Sequence, residues 1–133
     1  MNKIMIGSCI VLMLAVGGIF RLLNDTTSQT KSSDSEVTNV SIVDDKQVIR
    51  ISAKGGYAPR NTVAKANMPT VIDVTTNGTY DCTSALSIPA IGFRKSLPAS
   101  GTTHIDIPPQ QPGAVVTGIC TLGMYNFSVN FIP

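Results

Sequence analysis

A single histidine, His104, stands among the 133 residues, and that scarcity removes several chemistries at once. A blue-copper site, which needs two imidazoles and one thiolate, lacks its donors here. Aromatic residues make up 5% of the chain, and the ten Lys and Arg are scattered, so no basic stripe or stacking platform for nucleic acid is present. There is no Ser/His/Asp set that strands and turns would gather, no glycine-rich phosphate loop and no carboxylate pair in apolar surroundings, so the chain is read as a non-enzyme. Helical periodicity is nearly absent beyond the N-terminal stretch. Three cysteines cannot all pair within one chain, and with Cys9 in an apolar run the other two, Cys82 and Cys120, form either a disulfide or a ligand pair.

What the chain does have falls into three parts. Lys3 is followed by the uncharged run 4–20 and then by Arg21. At 1.5 Å per residue that run nearly spans a hydrocarbon core of about 30 Å, which predicts a transmembrane anchor over residues 1–23. A cleaved signal peptide begins the same way, but Gly17-Gly18-Ile19-Phe20-Arg21 ends bulky and charged, without a small-x-small site. Ile6-Gly7-Ser8-Cys9 looks like a lipoprotein box, yet it precedes the apolar run that it should close. Met5, Cys9 and Met13 share one helix face, a sulfur stripe that ordinary apolar filling explains. The expected orientation leaves Met1 in the cytoplasm and the remainder outside the cell membrane as a single-pass protein; the flanking charges mark it only weakly.

Residues 24–45 are rich in Ser, Thr, Asp and Asn, and are expected to form a flexible linker with an r.m.s. span of roughly 25 Å. Asp44-Asp45 is read there as a solvated charge pair. From residue 46 to 133 short apolar runs alternate with turn residues. Strands are expected at 48–53, 61–66, 70–76, 84–88, 102–107, 114–120 and 127–132, separated by Gly55-Gly56, Asn77-Gly78, Pro108-Pro109 and Pro112-Gly113. Seven short strands without helical period predict an all-β, two-sheet sandwich of Greek-key type.

The chemistry-bearing residues cluster late. In Cys120-Thr121-Leu122-Gly123-Met124 a thiol and a thioether lie on a tight loop between two expected strands, and Gly123 permits a sharp turn. Cys82 follows another turn-rich segment. Should the fold bring Cys82 to that loop, three sulfur ligands converge, a set that suits cuprous ion, Cu(I). A disulfide between Cys82 and Cys120 is the competing reading in an oxidising compartment. His104, in an alternating run with Ile105 and Ile107 inward, is expected at the surface. Met68, before Pro69, reads as packing, and Asp81 as a turn cap beside Cys82.

Gly56-Tyr57-Ala58-Pro59, Asp81-Cys82-Thr83, Ile88-Pro89, Ile91-Gly92, Leu97-Pro98, Pro112-Gly113 and finally Cys120 with Met124 resemble, in order and spacing, the EfeO-type cupredoxin-like domain. The resemblance covers roughly residues 48–133 and implies a cupredoxin-like sandwich with metal ligands at Cys82, Cys120 and Met124. Leu122 stands where the first methionine of the family's closing signature is expected, and Thr121 replaces its glycine, so one copper per domain is expected rather than two. With an anchor and a linker in front, the chain is similar to the membrane-anchored cuprous-ion chaperones of Gram-positive copper resistance. That implies a buffer handing Cu(I) to a copper-exporting P-type ATPase. A disulfide-stapled interaction module without metal, and an electron-transfer cupredoxin, remain the alternatives.

Overall fold

The computed structural model describes residues 38–133. The expected anchor over 1–23, the sulfur stripe of Met5, Cys9 and Met13, and most of the expected linker lie outside the described residues. Within 38–133 no helix is long and apolar enough to cross a membrane.

Ten strands form in chain order: β1 (Val40–Val43), β2 (Lys46–Ala53), β3 (Tyr57–Ala58), β4 (Asn61–Lys65), β5 (Thr70–Thr76), β6 (Ala85–Ile88), β7 (Phe93–Ser96), β8 (Gly101–Ile107), β9 (Val115–Cys120) and β10 (Asn126–Ile132). They make two five-stranded sheets. One runs β1-β2-β5-β8 with β3 added to β2, and the other runs β4-β10-β9-β6-β7. Two neighbouring pairs, β2 with β5 and β4 with β10, are parallel. Each is joined by a crossover instead of a hairpin, as in Greek-key sandwiches.

The alternation visible in the sequence becomes the core. Ile49, Ile51 and Ala53 of β2, Ile72 and Val74 of β5, and Ile105 and Ile107 of β8 face inward from the first sheet. Leu86, Ile88, Val116, Cys120, Phe127, Val129 and Phe131 meet them from the second. Side chains of a strand alternate between faces, so the intervening residues are left to solvent. Gln47 is the largest of the buried polar residues, the others being threonines; its amide nitrogen donates to Thr70 Oγ1 (3.1 Å) and its oxygen accepts from the Lys65 N–H (2.8 Å), tying β2 and β5 to β4.

The seven expected strands are all present within a residue or two of their bounds. The linker boundary is corrected. Val40–Val43, assigned to the linker, is an antiparallel strand on β2, with Val40 opposite Ile49 and Val43 opposite Lys46. Asp44 and Asp45, read as a solvated pair, are the two central residues of that hairpin, at φ 48° and 60°. Two successive positive φ values match the twist of a two-residue hairpin, and Asp tolerates that conformation better than most side chains. Asn39 adds to the attachment, its amide donating to the Arg50 carbonyl (3.0 Å) and to Thr62 Oγ1 (2.9 Å). The chain therefore joins the domain before Lys46.

Candidate metal centre

Cys120 is the last residue of β9 and has no exposed surface. It stands opposite Leu86 of β6. Beyond it the chain turns at once: the Cys120 N–H donates to the Tyr125 carbonyl (3.0 Å) and the Gly123 N–H to the Cys120 carbonyl (2.8 Å). Gly123 takes φ +74°, the left-handed region that favours glycine, as the sequence suggested. Thr121 pins the loop to β6, with both its N–H (2.9 Å) and its hydroxyl (3.1 Å) donating to the Ala85 carbonyl. Leu122 and Met124 then stand outward, 73% and 64% exposed, although both are large and apolar.

Cys82 opens a short 3-10 turn, Cys82–Ser84. Asp81 caps it. One carboxylate oxygen accepts from the Thr83 N–H (2.8 Å) and the Thr83 hydroxyl, and the other from the Gly55 N–H (2.8 Å). The Thr83 and Gly55 donors favour the ionised form and hold the Asp81 carboxyl below its usual range. The turn role expected of Asp81 is thus what the structure shows. Tyr57 grips the same turn from beneath, its hydroxyl donating to the Thr83 carbonyl (3.1 Å). Burial, with the Asp81 charge adding to it, pushes the Tyr57 phenol up to about 12, so it stays a donor throughout the neutral range.

These two segments meet. Cys82 and Cys120, separated by 38 residues, have Cα atoms 5.8 Å apart and their sulfurs joined as a disulfide. The meeting is arranged by the Gly55-Gly56-Tyr57 turn between β2 and β3. Gly55 and Tyr57 bind the Cys82 turn, while Gly56 lies beneath the Tyr125 ring, 3.7 Å from where a Cβ would stand, and takes φ +138°. Tyr57 also packs edge-on against Phe127, with ring centroids 5.2 Å apart. Sequence reasoning noticed these residues as part of a motif but not their task, which is to hold one sulfur-bearing turn against the other.

His104 is elsewhere. It lies on the outward face of β8, its Nδ1 2.6 Å from Asp73 Oδ1 on β5, as its alternation with Ile105 and Ile107 predicted. Met68 is half-buried at a turn, its carbonyl accepting from Thr70 Oγ1. Among the described residues no three His, Cys, Asp or Glu side chains gather into a cation site. The thioether on the Cys120 loop is that of Met124, four residues beyond the cysteine. Reduced, this set is two thiolates and a thioether, all soft and without imidazole, which fits cuprous ion and does not fit calcium, magnesium or cupric copper.

Comparison with known proteins agrees with the architecture. In the metal-binding domain of the Cu(I)-exporting P-type ATPase CopA from Streptococcus pneumoniae D39, solved with Cu(I), 93% of that chain superposes on 71% of this one. The TM-score is 0.62 and the sequences are 21% identical. A copper-binding protein solved in solution in its apo form gives the same TM-score, 0.62, at 23% identity over 69% of this chain and 93% of that one. No curated protein matches the sequence. The family model of the cupredoxin-like domain matches residues 14–127. With two Greek-key sheets and that match over most of its length, the chain belongs to the cupredoxin-like domain family.

Proposed function

We propose that this domain carries one cuprous ion on Cys82, Cys120 and Met124 and passes it to a partner by ligand exchange. One observation carries the reading: the fold brings Cys82, from 38 residues away, onto the sulfur of Cys120 at the root of the Met124 loop. The exposure of Met124 suits transfer, because an incoming thiolate can reach the loop while Cys82 and Cys120 still hold the ion. Leu122 offers no thioether, so one ion per chain is the stoichiometry. Thiols release protons on binding metal, so affinity falls as the medium becomes more acidic.

The finer resemblance to the EfeO-type domain supports the same ligand set. The structural likeness to the metal-binding domain of a Cu(I)-exporting ATPase supports an exporter of that kind as the receiving partner. The uncharged run 4–20 supports a single-pass anchor that keeps the domain at the extracytoplasmic side of the cell membrane. An electron-transfer role is disfavoured by the donor set, since the one imidazole is engaged with Asp73 on the outer face of the other sheet.

The second reading with an observation behind it is a disulfide-stapled interaction module, because the two cysteines are bonded. One experiment separates the two. The reduced full-length chain, with Cys9→Ser to remove the third thiol and kept in detergent for its apolar run, is titrated anaerobically with Cu(I) held by a chromogenic chelator. One copper withdrawn per chain, lost on Cys120→Ser and weakened by Met124→Leu, supports the carrier. No withdrawal by the reduced chain refutes it and leaves the stapled module.

A further inference from the structure

The two sulfurs of the candidate site are unequally placed. Cys120 is wholly buried at the end of β9, whereas Cys82, at the start of its turn, is partly exposed. Thiolate is the form of cysteine that ligates metal and attacks disulfides. Sulfurs that share a bond with each other have no thiolate to give, so the bonded pair and the ligand pair are exclusive states of the same two residues.

We propose that the Cys82–Cys120 disulfide is the copper-excluding state of this domain and that a dithiol reductant opens it by attack at Cys82. The proposal rests on the cuprous-ion reading above and adds the control of loading. A thiolate of the reductant attacks Cys82 Sγ; the bond to Cys120 Sγ breaks, and its electron pair leaves on Cys120, which takes a proton from water. The second thiol of the reductant then attacks the mixed disulfide, freeing Cys82 and leaving the reductant oxidised. Two electrons and two protons pass to the protein, and nothing besides the dithiol is consumed. Attack at Cys120 is blocked by burial, since the incoming sulfur has to reach the far side of the one that it attacks.

The geometry also explains why opening the bond leaves a usable site. Cys82 is held by the Asp81 cap and by the Tyr57 hydroxyl on Thr83, and Cys120 by its own bonds to Tyr125 and Gly123 and by Thr121 on Ala85. None of these contacts passes through the sulfur–sulfur bond. The reduced pair therefore remains face to face, ordered before the ion arrives, which lowers the entropy lost on binding.

The test uses the full-length Cys9→Ser chain in oxidised and reduced forms. Each is challenged anaerobically with Cu(I) held by a chromogenic chelator. The oxidised form is separately mixed with a thioredoxin whose second active-site cysteine is replaced by serine, and the trapped adduct is located by peptide mass spectrometry. The expected result is copper withdrawal by the reduced form only, with the adduct on Cys82 exceeding that on Cys120 by at least about tenfold, as access to the attacked sulfur dictates. Equal withdrawal by both forms overturns the gate while leaving copper binding intact. Withdrawal by neither removes the copper reading and the gate with it. An adduct on Cys120, or none at all, overturns the assignment of Cys82 as the point of attack.

Discussion

Gly118→Ala tests the packing on which the sulfur pair rests. Gly118 sits in β9 two residues before Cys120, directly opposite Phe127 of β10. A Cβ at 118 would overlap atoms of the Phe127 ring far inside van der Waals contact. That ring has no exposed surface and is wedged edge-on against Tyr57, itself 3% exposed, so it has little room to retreat. Forcing a methyl into a filled core costs about 1–3 kcal/mol, and a ring clamped on its far side argues for the upper half of that range. For a domain of about 100 residues each kcal/mol moves Tm by about 4–8 °C, so a fall of about 10–20 °C is expected. Urea denaturation of the full-length chain, followed by far-UV circular dichroism, measures the loss. The double variant Gly118→Ala/Phe127→Leu should be more stable than the two single losses summed, by about 1 kcal/mol or more, because the smaller side chain vacates the space that the methyl needs. A loss under about 0.5 kcal/mol for Gly118→Ala, the scatter of an ordinary surface change, would show that this core is not packed as described.

Other contacts give separate outcomes. Tyr57 is kept neutral by burial, so its contribution is complete below its unfolded pKa of 10.0 and is lost as pH rises toward about 12. That interval corresponds to about 3 kcal/mol at 1.36 kcal/mol per unit, and Tyr57→Phe should flatten this alkaline fall in urea midpoint; an unchanged pH profile speaks against it. Asp81→Ala removes the acceptor of the Gly55 and Thr83 N–H groups, for a loss of about 1 kcal/mol, and amide hydrogen exchange at Gly55 and Thr83 should quicken together. Exchange that stays as slow as before would mean that the turn is held by something else. A chain begun at Lys46 loses β1 and the Asn39 bonds, and should be less stable than one begun at Thr38 by about 1–2 kcal/mol, and so melt lower. Equal melting would remove β1 from the cooperative unit.

The strands were legible wherever one face is buried, because a period of two marks the core side directly. Thr70–Thr76 matches its expected bounds, and His104 could be placed outside because Ile105 and Ile107 had to be inside. Three strands escaped, and the two-residue Tyr57–Ala58 is too short to show any alternation. In Val40–Val43 the two end residues, Ile42 and Val43, are exposed, so the strand shows little of the one-sided burial that alternation reads. In Phe93–Ser96 the residues Arg94, Lys95 and Ser96 face water, and pairing with β6 alone makes it a strand. The hairpin of Asp44 and Asp45 was hidden for a related reason: adjacent acids in a polar stretch look solvated whether or not the backbone turns there.

For the candidate site, composition suggested the donors and topology determined the meeting of the two cysteines. One histidine and a late Cys-x-x-x-Met segment favoured sulfur donors for any copper site, since ligand softness is a property of side chains and not of their arrangement. Whether the fold would bring Cys82 to Cys120 was not readable from spacing, because 38 residues and three strands, with a crossing to the other sheet and back, lie between them. Contact at that distance along the chain is fixed by how the two sheets pack and by the Gly55-Gly56-Tyr57 turn that bridges both loops. The unequal burial of the two sulfurs was likewise invisible. It follows from Cys120 ending a core strand on its inward face while Cys82 begins a surface turn, a difference that exists only once the sandwich has closed.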